Sequence, residues 1–129
     1  MKTEETGFKG LKIITPQIFK DQRGYFFESY NKQKFIDNNL HFDFIQDNQS
    51  KSSYGTVRGL HYQIEPFAQA KLVRVLKGMI IDVALDIRNG SKTFGQYFSI
   101  ELSEENQKQL LIPKGFAHGF SVISEDAVV

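Results

Sequence analysis

Two histidines, a lysine and a glutamine stand out by type and spacing. His61 and Gln63 close the stretch Gly55-Thr-Val-Arg-Gly-Leu-His-Tyr-Gln63 and lie two apart, so they share one face of any strand. Lys71 follows in Ala70-Lys-Leu-Val-Arg-Val-Leu-Lys-Gly78, with Val73 and Val75 on its face, and His118 ends Pro113-Lys-Gly-Phe-Ala-His118. An imidazole changes protonation near neutral pH, and a buried ammonium can hold an anionic oxygen. A lysine among valines inside a fold must find a partner or lose its proton. On spacing alone, a solvated strand start accounts for Lys71 equally well, and His61 by itself reads as a satisfied core histidine. Taken together with His118, the set points to a polar pocket. Strict alternation aims Arg58 away from His61, unless a bulge at Gly59 turns both inward; without one Arg58 is surface.

Upstream, Asp21-Gln-Arg-Gly24 reads as a turn leading into Tyr25-Phe-Phe-Glu28. Arg23 has the planar fork that matches a phosphate, although on composition alone a surface turn arginine is the better reading. Gln46 and Asn48 sit two apart after Phe42 and Phe44, amides suited to a base or a sugar and equally to a solvated strand end. His41 has no partner motif and reads as surface.

The elements that must position these residues are short and β-rich. Runs divided by Gly, Pro, Asn and Ser predict strands at Leu11–Thr15, Tyr25–Tyr30, Phe42–Asn48, Val57–Gln63, Lys71–Leu76, Met79–Ile87, Gln96–Leu102, Lys108–Ile112 and Gly119–Ile123. Met79–Ile87 is the clearest: Ile81, Val83, Leu85 and Ile87 form one face, with Asp82 and Asp86 on the other. A helix is predicted over Lys32–Asn38 with Asn31 as N-cap, and a single turn at Ser103–Asn106. Ala127–Val129 reads as the start of a further strand, after which the chain stops. An unpaired strand exposes an edge. The expectation is therefore one domain over residues 1–129 that lacks its C-terminal part, with a short edge strand as the alternative.

The 129 residues suffice for one domain with a substantial core. A net charge of +1 without a Lys/Arg-rich run gives no pull toward nucleic acid or anionic membrane. There is no cysteine, hence no disulfide framework and no thiolate metal site. No apolar h-region follows Met1, and no apolar run approaches the ~18 residues of a membrane span. These features fit a cytoplasmic protein.

The spacing of the polar set resembles the two boxes of a cupin barrel. A metal-binding cupin has G-x5-H-x-H, then Glu six residues before a Gly, then P-x-G-x2-H. Gly55, His61 and His118 fit; Gln63 replaces the second histidine and Lys71 stands where the glutamate belongs. With a cation in place of a carboxylate ligand, the site suits a negative charge and not a metal. The ordered blocks Asp21-x-Arg-Gly-x-Phe-x-Glu28, Gln46-x-Asn48, Arg58-Gly-Leu-His-Tyr-Gln63, Gln69-x-Lys-Leu-Val73, Asp82-Val, Asp86-x-Arg-x-Gly-Ser91, Thr93-Phe-Gly95 and Ile112-Pro-x-Gly-Phe-Ala-His-Gly-Phe120 carry the resemblance further. From about residue 16 onward the chain is similar to the dTDP-4-dehydrorhamnose 3,5-epimerases, metal-free cupins of deoxysugar biosynthesis.

The resemblance implies an all-β cupin, a double-stranded β-helix or jelly-roll barrel with short helical segments. It implies cofactor-free epimerisation at C3 and C5 of a dTDP-linked 4-keto-6-deoxy sugar. His61 would be the base and Lys71 the group that stabilises the enolate oxygen. Arg23, Arg58 and His118 would bind diphosphate or sugar, with Gln63 also lining the substrate site. Glu28, Gln46 and Asn48 would help hold the nucleotide, and Phe26 would lie near the thymine. The family's homodimer, in which an N-terminal strand reaches the partner, would give Arg23 and Glu28 to the neighbouring site. The resemblance would put the family's proton-donating tyrosine and histidine-orienting aspartate beyond the last residue, while Asp82 and Asp86 match other family positions. Epimerisation at a single centre (C3 or C5) needs the same base and clamp. A non-catalytic nucleotide-sugar-binding cupin needs no base, and a metal-dependent oxygenase is opposed by Lys71 and Gln63.

Overall fold

A computed structural model describes all of residues 1–129. Short apolar runs between turn residues give twelve strands and one helix. The first half holds β1 (Lys2–Glu5), β2 (Lys12–Thr15), β3 (Ile18–Asp21), β4 (Gly24–Phe27), α1 (Lys32–Asp37), β5 (Lys51–Ser53) and β6 (Val57–His61). The second holds β7 (Lys71–Arg74), β8 (Met79–Asp86), β9 (Tyr97–Ser103), β10 (Gln109–Ile112), β11 (Phe116–Val122) and β12 (Asp126–Val128). Two four-stranded sheets, β1-β2-β10-β7 and β6-β11-β8-β9, enclose the core, and β3-β4 and β12-β5 form separate ribbons. The pairings between named strands are antiparallel.

Alternation sorts each strand between inside and outside. Val73, Leu110 and Ile112 of one sheet meet Ile80, Ala84, Leu102, Phe116, Phe120 and Val122 of the other in one buried cluster. Each fully buried aliphatic or aromatic side chain there is worth about 1.5–3 kcal/mol. β10 is buried on both faces, because its outer residue Leu111 packs with Ile14 under Phe35 and Leu40. Phe35 belongs to α1, whose N-terminus is capped by Asn31: its Oδ1 accepts from Lys34 N at 3.1 Å.

One strand expectation needs correction. Phe42–Asn48 is not a strand. Its alternating aromatics look like one, but Phe44 packs edge-on against Tyr30 and Phe35, and no neighbouring strand pairs with this backbone. The single turn expected at Ser103–Asn106 is present, closed by Asn106 N donating to Ser103 Oγ at 3.1 Å. On β8 the aspartate face is the buried one: Ile80, Asp82, Ala84 and Asp86 point in, while Ile81, Val83 and Leu85 are half-buried. The reason is local pairing, which makes both carboxylates tolerable inside. The strand expected at Ala127–Val129 is present as β12. β12 pairs with β5 on one side, and Val128 bridges Lys77 on the other.

Candidate active site

Three strands carry Arg58, His61, Lys71 and His118. On β7, Lys71 is in register with Ile112, two residues from the pair Val73–Leu110, so it shares their inward face. On β11, His118 sits opposite both Ala84 of β8 and His61 of β6. Directly opposed residues share a face, so His61 and His118 stand side by side. The expected bulge is present: His118 faces His61 and Phe120 faces Arg58, so three steps on β6 match two on β11. Gly59 permits it. Its φ is +110°, and a Cβ there would lie 2.6 Å from the His118 carbonyl oxygen. Arg58 and His61 consequently turn to the same side. The Arg58 guanidinium donates from Nε to Ser52 Oγ at 2.8 Å.

The electrostatics centre on a residue the sequence reading did not assign to the site. Asp82 is fully buried, and its Oδ1 lies 2.7 Å from His118 Nε2. Burial pushes the Asp82 carboxyl above the ordinary range, against the pull of His118 and Lys71. Lys71 is half-buried; desolvation draws its pKa down, and the Asp82 charge opposes that fall. The signal was available in the sequence. A carboxylate alternating with Ile80 and Ala84 on one face must be either solvated or paired, and His118 was already a candidate partner.

The remaining candidates lie elsewhere. Gln63 follows β6 and is exposed beyond the bulge. Gln46 Nε2 donates to Asn48 Oδ1 at 2.9 Å, so the two amides do meet although their segment is irregular. Arg23, Phe26 and Glu28 belong to the β3–β4 ribbon and its exit. Arg23 is clamped to Asp21 at 2.6 Å in the hairpin turn, Phe26 is 72 % exposed, and Glu28 pairs with Lys34 at 2.8 Å. The β3–β4 ribbon pairs only with itself, and none of the three has a hydrogen bond or ion pair with His61 or Lys71.

The fold is a cupin-like β-sandwich with a lysine, a histidine pair and a buried carboxylate on strands that face its interior. Comparison with known proteins makes the class specific. The family model for dTDP-4-dehydrorhamnose 3,5-epimerase matches residues 5–129. The Shigella flexneri dTDP-4-dehydrorhamnose 3,5-epimerase is 49 % identical over 128 residues, 98 % of this chain and 71 % of that protein. The crystal structure of the Bacillus anthracis enzyme, with TDP and PPi bound, superposes with a TM-score of 0.96 at 46 % identity, over 98 % of this chain and 73 % of that one. The Legionella pneumophila dTDP-6-deoxy-D-glucose-3,5-epimerase, in complex with dTDP-4-keto-L-rhamnose, gives 0.93 at 49 % identity, over 98 % and 68 %. The chain belongs to the dTDP-4-dehydrorhamnose 3,5-epimerase family.

Proposed function

We propose that this chain carries the epimerase chemistry of its family, acting on dTDP-4-dehydro-6-deoxy-D-glucose at C3 and C5 on the route to dTDP-L-rhamnose. The observation that carries the reading is the inward placement of Lys71 beside Asp82 and the paired histidines. A hydrogen next to the C4 ketone becomes acidic only if the enolate is stabilised. A partly desolvated ammonium supplies that stabilisation without a metal or redox cofactor. His61, at the exposed end of the same face, is the base that removes the carbon-bound proton. His118 and Arg58 are the polar groups for the sugar and the diphosphate.

The reading includes a homodimer. Arg23, Phe26 and Glu28 lie on a ribbon that leaves its own barrel, with Phe19 and Tyr25 more than half exposed. The outer face of β8 offers Ile81, Val83 and Leu85, only half-buried. Both features suit contact with a second copy, whose site the ribbon would complete. No helix is long and apolar enough to cross a membrane. We place the protein in the cytoplasm, making nucleotide sugar for lipopolysaccharide or cell-wall polysaccharide.

The test is incubation with the keto sugar in deuterated water. Deuterium should enter at C3 and C5, and His61→Asn and Lys71→Met should each slow exchange by about 10²-fold or more. Exchange confined to C3 or to C5 would favour a single-centre epimerase. Tight binding with no exchange would leave a nucleotide-sugar-binding cupin.

A further inference from the structure

Asp82 is anomalous in its surroundings. It is completely buried, yet Oδ1 has one partner, His118, and Oδ2 has none. A buried carboxylate oxygen without a donor is costly, and native folds seldom keep one without a use. Charged groups approach it from two directions. His118 comes from β11, with His61 beside it on β6, and Lys71 comes from β7 in the opposite sheet. The residues paired with Asp82 along the sheet are Phe120 and Ile100, which carry no charge.

We propose that Asp82 is the positioning residue of this site: its Oδ1 fixes the His118 ring through Nε2, and its Oδ2 is kept free of other donors as the counter-charge of the Lys71 ammonium. The role deepens the epimerase reading and rests on it for its purpose. An ammonium stabilises a developing enolate only if it is protonated when the ketone arrives. Burial works against that, and a fixed carboxylate charge nearby works for it. The same charge selects the histidine geometry. An anionic Asp82 accepts a proton at Nε2, so Nδ1 is the nitrogen left for a ligand. A protonated Asp82 would donate to a bare Nε2 instead. Lys71 would then have no counter-charge, and burial favours this competing state.

The two states differ in a measurement that needs no substrate, so it succeeds or fails independently of the epimerase reading. Ring ¹⁵N spectra of the whole chain at neutral pH should show His118 protonated at Nε2. The ¹³Cε resonance of Lys71, assigned by its loss in Lys71→Met, should titrate about one pH unit lower in Asp82→Asn, a tenfold change in its ionisation equilibrium. A purely structural aspartate would alter thermal stability and leave the lysine midpoint in place. A bare Nε2 with the proton on Nδ1 in the unmodified protein overturns the proposal even if the variant does not fold. So does an unchanged Lys71 midpoint in folded Asp82→Asn.

Discussion

Asp82 and Asp86 occupy the same inward face of one strand, four residues apart, and neither is exposed to solvent. Their surroundings oppose each other. Asp86 is saturated. Its Oδ1 accepts from Arg88 N and Nε, both at 3.0 Å. Its Oδ2 accepts from Arg88 Nη2 at 2.8 Å and from Ser91 Oγ and Thr93 Oγ1, both at 2.6 Å. The Arg88 guanidinium, supported by these hydroxyls, holds the Asp86 carboxyl far below the usual carboxylate range. Asp82 has one bond, and burial pushes it the other way. Burial does not decide what a carboxylate does; the number and charge of its donors do. Asp86 serves the fold. Arg88 donates on to the Lys9 carbonyl at 2.7 Å and lies 4.5 Å over the Phe116 ring, tying the turn after β8 to the N-terminal loop and to the start of β11. That strand carries His118, so the saturated aspartate anchors the scaffold of the unsaturated one.

The sharpest way to break this contrast is to remove the saturated carboxylate. Asp86→Ala should destabilise the fold by about 3–5 kcal/mol, because it leaves a largely buried guanidinium and two hydroxyls without their acceptor. Urea denaturation at neutral pH measures it. A loss under about 1 kcal/mol would mean that the five bonds are incidental.

Acid should erase part of that difference. Asp86 has a folded pKa below its unfolded value, which is about 3.9. Its contribution is therefore fully present above the unfolded value and is lost as pH falls through the folded one. The stability gap between the unmodified protein and Asp86→Asn should be constant from about pH 5 to 7 and narrow below about pH 4. Denaturation profiles of the two across that range check it. A gap that does not narrow in acid would show that the lost geometry, and not the lost charge, is responsible.

How much of this was legible beforehand depends on whether a residue's environment is local. The alternation of β8 was readable because eight consecutive residues keep one period. Which face was inside was not, since two aspartates look like a solvent face until Arg88 and His118 are placed beside them. The bulge at Gly59 could be anticipated because Arg58 and His61 are three apart, an odd spacing for one strand face. β1, with the sequence Lys-Thr-Glu-Glu, shows no apolar period and exists because β2 pairs with it. β3 likewise has the exposed Phe19, Lys20 and Asp21, and its ladder partner is β4. Phe42–Asn48 erred in the other direction: its pattern was strand-like, but a strand needs a backbone partner. His61, Lys71 and His118 were picked out by types and spacing, and the strand register puts His61 directly opposite His118. Asp82 stood in one of the matching blocks, but its partner His118 is 36 residues away, so its place beside the histidine was not legible locally.

The smallest expected effect tests the comparison most closely. Asp82 has its folded pKa above its unfolded value. For such a group the favourable contribution is complete below about pH 3.9 and is lost as pH rises through the folded value, so the ionised form weighs against the fold at neutral pH. Asparagine has nearly the same shape, carries no charge and keeps an oxygen that can accept from His118 Nε2. Asp82→Asn should then lie within about 1 kcal/mol of the unmodified protein at pH 7, or be more stable, while Asp86→Asn loses several times more. Such an outcome is the expected mark of a residue retained for function at a cost in stability. Parallel urea titrations of the two variants decide it. If Asp82→Asn falls as far as Asp86→Asn, the single bond to His118 anchors the fold after all, and the distinction between a saturated structural carboxylate and an open functional one fails for this strand.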